Sequence, residues 1–150
     1  MMFEIEIEHT GKLNKREKED RFATDAIETI YNFPEDKVIF KWAELEFIAF
    51  LAGDISDSWF DILGLMRNLE REPEHFHMQF PSQTFWHHWE FKATEKAYWE
   101  IEADWSLDEL KKITVAKAVF KKEFQKLIDR VETDLQKQNY ILSTFREYAK

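Results

Sequence analysis

At 150 residues, with 44% hydrophobic and 16% aromatic content, the chain is too apolar to be disordered, and it reads as one domain over residues 1–150 that buries about two-thirds of its unfolded surface. The absence of cysteine excludes disulfides and thiolate metal sites, and the net charge of −9, from 21 basic and 30 acidic residues, argues against nucleic acid as a partner. No apolar run approaches the length of a bilayer span and MMFEIEIEH has no basic region followed by an apolar one, so the expectation is a cytoplasmic protein without membrane contact.

The acid is unevenly spread. Residues 1–110 carry 25 acidic and 11 basic groups, whereas residues 111–137 carry 4 and 8. At the start, Phe3, Ile5 and Ile7 alternate with Glu4, Glu6 and Glu8, the period of a half-buried strand. Gly11 to Asp20 is polar apart from Leu13 and reads as a mobile loop or a frayed helix start. Phe22, Ala26, Ile27, Ile30 and Tyr31 recur at helical spacing until Pro34 stops them.

Lys37 to Ala52 is apolar at both periods; its β-branched and aromatic residues suggest a strand over Val38–Trp42, and a buried helix over Ala43–Ala52 ending at Gly53. Asp54-Ile55-Ser56-Asp57-Ser58 offers three side chains able to cap a helix in which Trp59, Phe60, Ile62, Leu63, Met66 and Leu69 share the buried face. Gly64, costly inside a helix, predicts close packing there, and Pro73 ends the element.

His75 to Phe80 alternates again, with Pro81-Ser82-Gln83 as the turn into TFWHHWEFKATEKAYWEIEADW, Thr84–Trp105. This stretch has the pattern of a β-hairpin around Thr94, Glu95 and Lys96. Phe85, His87, Trp89, Phe91 and Ala93, with Ala97, Trp99, Ile101, Ala103 and Trp105, form its inner face. Trp86, His88, Glu90, Lys92, Tyr98, Glu100, Glu102 and Asp104 form the outer one. Pairing Ala93 with Ala97 sets Phe91 against Trp99, Trp89 against Ile101, His88 against Glu102 and Glu90 against Glu100. Ser106 and Glu109 have capping-box spacing, and Ile113–Ala116 reads as a strand. Phe120, Phe124, Leu127, Ile128, Val131 and Leu135 make one stripe of a long helix to about Gln138, after which Tyr140, Leu142, Phe145 and Tyr148 either continue it or fold back. The expected fold is α+β: a mainly antiparallel sheet with a central aromatic hairpin, covered on one face by helices, with a long C-terminal amphipathic helix.

Three sites suggest themselves on the outer face. Four histidines between His75 and His88 raise a metal site, but His87 and His88 point to opposite sides of a strand and no HExxH is present, so no metal or other cofactor is expected. Glu90 facing Glu100 would be an acid–base pair, yet neither a glycine-rich phosphate loop nor a nucleophile elbow accompanies it, and the chain does not read as an enzyme. The third site is a docking surface for a protein partner, made of Glu90, Glu100, Glu102 and Asp104 with His88, Trp86 and Tyr98.

The segments Gly53-Asp54-Ile55-Ser56-Asp57-Ser58-Trp59-Phe60-Asp61, Phe80-Pro81-Ser82-Gln83-Thr84 and Trp89-Glu90-Phe91 give the region from about 38 to 105 an aromatic and polar spacing that resembles immunity proteins of contact-dependent or polymorphic bacterial toxin systems. That resemblance implies an inhibitor that binds a cognate toxin domain; the acidic charge makes the expected toxin a basic one, such as a nuclease covered at its active site. The rival readings are a small metal-dependent enzyme or metal-binding protein using the histidine-rich strands 75–88, and a homodimer whose aromatic strip or tail is the subunit interface.

Overall fold

The computed structural model describes residues 3–104 and 112–149. Among these residues seven strands form two antiparallel sheets. The first contains β1 (Phe3–Glu8), β2 (Lys37–Trp42) and β3 (Leu45–Phe50), in that order across the sheet. The second is a meander of β4 (His75–Ser82), β5 (Phe85–Thr94), β6 (Tyr98–Ala103) and β7 (Lys112–Ala116). Among the described residues three α-helices complete the fold, α1 (Ala23–Ile30), α2 (Trp59–Arg71) and α3 (Lys117–Lys137), followed by short 3-10 turns at Leu142–Thr144 and Arg146–Tyr148. The fold class is α+β, as expected, with the strands divided between two sheets.

Alternation explains the core. Phe3 and Ile5 of β1, Val38, Phe40 and Trp42 of β2, and Phe85, Trp89 and Phe91 of β5 all point inward and are buried. The two sheets meet through Trp42 and Trp89, 5.3 Å between ring centroids, and through Phe40 and Phe85 at 5.5 Å. Helix α3 closes the third side, with Phe120 4.4 Å from Phe3 and 5.3 Å from Phe91. Its Glu123 also accepts a hydrogen bond from the Ile5 N–H at 2.8 Å, satisfying a donor of strand β1.

The stretch expected as a helix over Ala43–Ala52 is instead β3 and an irregular turn at Leu51–Ile55. Leu45, Phe47 and Ala49 face inward while Ile48 and Phe50 sit on the outer side, so apolar residues on both faces hide the period-2 signal. The reversal runs through Ala43, held at φ 55°, a conformation that glycine or asparagine more often supplies. Gly53 is needed where it stands, at φ 119°.

The hairpin of β5 and β6 keeps the expected inner and outer faces but is displaced by two residues. Ala93 pairs with Trp99, Phe91 with Ile101, Trp89 with Ala103, Glu90 with Glu102 and Lys92 with Glu100. The loop is Glu95-Lys96-Ala97, with Glu95 and Lys96 both at positive φ, and an even shift leaves every ring on its own side. Strand β4 extends through Pro81 and Ser82, so the turn before β5 is Gln83-Thr84. Trp105, Ser106 and Glu109 lie outside the described residues.

Other expectations divide. Phe60 is 59% exposed, while Leu65 takes a buried place on α2. Ser58 makes no side-chain cap to α2, and Asp54 turns elsewhere. The segment 11–20 has no regular structure but is tied down: Asn14 donates to Ile30 O at 2.9 Å, and Tyr140 bonds both the Glu17 N–H, at 3.2 Å, and Asp20. The C-terminal residues fold back, burying Tyr140 and Phe145. Asp134 of α3 accepts hydrogen bonds from Tyr31 Oη at 2.6 Å and Arg130 Nε at 3.1 Å. Burial, reinforced by that carboxylate, raises the Tyr31 hydroxyl well above its usual range.

Candidate functional site: the outer face of the second sheet

Strand register sets the layout of this face. One row across the sheet is His77, Glu90, Glu102 and Lys112; the next is His75, Lys92, Glu100 and Thr114. Toward one end lie Gln79 and His88, then Pro81 and Trp86; toward the other, Thr94, Tyr98 and Ala116. Trp86 is 61% and Tyr98 42% exposed. The two are separated by eight residues of β5, roughly 27 Å, so they bracket the acidic rows rather than share a pocket.

The carboxylates have neighbours. His88 Nε2 is 2.7 Å from Glu90 Oε1 and His75 Nε2 is 3.3 Å from Glu90 Oε2, while the rings of His77 and His88 stack at 5.4 Å. The hydrogen bond from His88 is the main reason the Glu90 carboxyl lies below its usual range; slight burial opposes it, and the nearby imidazoles add attraction. Lys112 Nζ sits between Glu100 Oε1 at 3.6 Å and Glu102 Oε2 at 3.7 Å. The shift in register thus sets Glu90 against Glu102, not Glu100, and β7 contributes a cation to the strip. Asp104 accepts the His88 N–H at 2.9 Å and approaches His87 Nδ1 at 3.3 Å, so it ends the ladder and leans towards the inner side. His87 itself is held below its usual range by burial, against the pull of Asp104.

All seven expected contact residues, Trp86, His88, Glu90, Tyr98, Glu100, Glu102 and Asp104, are at least partly exposed. Six stand on the open face, and Asp104 is tied at its margin. For the metal reading, His75 and His88 reach Glu90 from two sides, but among the described residues no three His, Asp or Glu side chains form a group that could hold a metal ion.

Two features escaped the sequence. Asp54, 1% exposed, accepts the Phe50 N–H at 2.9 Å, the Ser82 hydroxyl at 2.6 Å and the Thr84 hydroxyl, tying the turn after β3 to the β4–β5 hairpin. Both hydroxyl protons are directed at the carboxylate, which satisfies a buried acceptor and stabilises the fold. The second is a groove of about 350 Å³ between α2 and β4, lined by Phe60, Gly64, Arg67, Arg71, His77 and Gln79 among others. The spacing 60, 64, 67, 71 along one helix stripe was its only signal in the sequence.

Fold and face together define an α+β protein of two antiparallel sheets, one with an uncovered surface of aromatic, imidazole and carboxylate groups. Compared with protein-family models, with curated proteins and with solved structures, the chain matches none. No helix among the described residues is long and apolar enough to cross a membrane.

Proposed function

We propose that this chain is a non-enzymatic binding protein that holds a protein partner on the outer face of β4–β7, and that the partner is a basic toxin domain which it neutralises. The observation that carries the reading is Trp86: a large ring 61% exposed on a sheet face where exposed side chains run from His75 to Thr114. An aromatic residue of this kind buries much area at small entropic cost when a partner covers it. A face four strands wide and roughly 27 Å long is of the size a standard interface covers. The net charge of −9 and the carboxylates of Glu90, Glu100 and Glu102 favour a basic partner, although Lys112 competes for two of them.

The test is binding to an inactive variant of a toxin domain encoded beside this chain's reading frame. Calorimetry should show one-to-one binding, weakened at least about tenfold by Trp86→Ala. Unchanged affinity would remove the face from the interface. If light scattering finds a dimer of this chain alone that Trp86→Ala splits, the same face is a subunit contact and the toxin reading fails.

A further inference from the structure

The groove between α2 and β4 combines features that no packing requirement explains. Gly64 sits in the middle of α2, where glycine lowers helix stability. A Cβ there would meet only Arg67 Nη2, at 3.6 Å, so nothing presses on the glycine that a methyl group would displace. The missing side chain leaves the floor of the groove open. Arg67 and Arg71 lie one turn apart on the same stripe, and both are exposed. Among the described residues neither guanidinium forms an ion pair, in a chain with 30 carboxylates. Helical side chains lean toward the helix N-terminus, which carries the Arg67 guanidinium back over Gly64. Gln79 and His77 stand on the opposite wall, and the exposed ring of Phe60 stands at the N-terminal end.

We propose that this groove is a binding site for a small organic anion, a carboxylate or phosphate ester on a flat apolar body, with the charge held by Arg67 and Arg71 over Gly64 and the body against Phe60. Paired guanidiniums match the geometry of such anions through parallel N–H donors. The volume of about 350 Å³ is at the small end of ligand sites and suits one or two rings with their anionic group. Asp61 also lines the groove, one turn before Gly64 and about 4.5 Å from it along the helix axis, where its carboxylate disfavours a bare anion and can accept a donor from the body. The site shares His77 with the docking face but stands independently of what docks there.

The probe is 2-naphthyl phosphate, titrated into ¹⁵N-labelled protein at constant ionic strength, beside inorganic phosphate and 2-naphthol as its two halves. Saturable shifts are expected at the Gly64 amide and the Arg67 and Arg71 Nε–H signals, with binding at least about tenfold tighter than either half. Arg67→Gln with Arg71→Gln should weaken it by at least about tenfold, and Gly64→Leu, which fills the floor, should block it in a protein still folded by its amide spectrum. Shifts that never saturate, shifts centred on Lys121 and Lys122 of α3, or unchanged binding by Gly64→Leu would overturn the proposal.

Discussion

Asp54 shows how much one buried carboxylate can hold together. Its oxygens satisfy the Phe50 N–H, four residues before it, and two hydroxyls 28 and 30 residues after it, so removing it orphans three donors at once. We expect Asp54→Ala to cost about 3 kcal/mol in urea denaturation, and a loss below about 1 kcal/mol would show that water replaces it. Gly64 is the opposite case: with space for a methyl group, Gly64→Ala should raise stability by up to about 1 kcal/mol, measured the same way. His87 links the fold to pH. Burial lowers its pKa below the ordinary 6.5, so the unfolded chain takes up a proton that the folded one refuses. Its contribution is therefore complete above 6.5 and is lost as pH falls through the folded value. The His87 ring should titrate below 6.5 by NMR, and His87→Gln should lose less stability than the parent on acidification; a midpoint at or above 6.5 contradicts this.

At the scale of elements, α1 depends on the other end of the chain. Eight residues make a marginal helix, and Phe22 at its N-cap offers no side-chain acceptor. Glu147 supplies one from the C-terminal segment, accepting the Ala23 and Thr24 N–H groups at 2.7 and 2.9 Å and the Thr24 hydroxyl at 3.0 Å. Glu147→Ala should cost about 1 kcal/mol and speed amide exchange in α1, whereas unaltered exchange there would show that the helix does not rely on this cap. This capping could not be read from sequence, because it joins residues more than 120 apart. Strands β1, β4, β5 and β6 could be read, since one face of each is apolar and the other polar. Strand β3 could not: Ile48 and Phe50 give its outer face the same character as its inner one, and Ala43 makes the turn without a turn residue. For the outer face of the second sheet, alternation identified the residues correctly but not their partners, which depend on the hairpin loop and on Lys112 from β7.

For the whole molecule, charge and shape divide the surface. The outer face of β4–β7 carries Trp86 at one end, Tyr98 at the other and carboxylates between them, while the exposed lysines Lys121, Lys122 and Lys126 lie on α3. Because Lys112 already neighbours Glu100 and Glu102, short-range pairing contributes less to attraction than the field of an acidic body acting over a Debye length of about 8–10 Å. Removing that cation with Lys112→Gln should therefore speed capture of a basic partner and slow its release.

The most direct measurement is stopped-flow association with the inactive toxin domain from low to physiological ionic strength, for the parent protein and for Glu100→Lys with Glu102→Lys. The parent's association rate should fall at least about tenfold across that range, and the reversed protein should start slow and change little. Equal, salt-independent rates for both would contradict capture by the field of the acidic body.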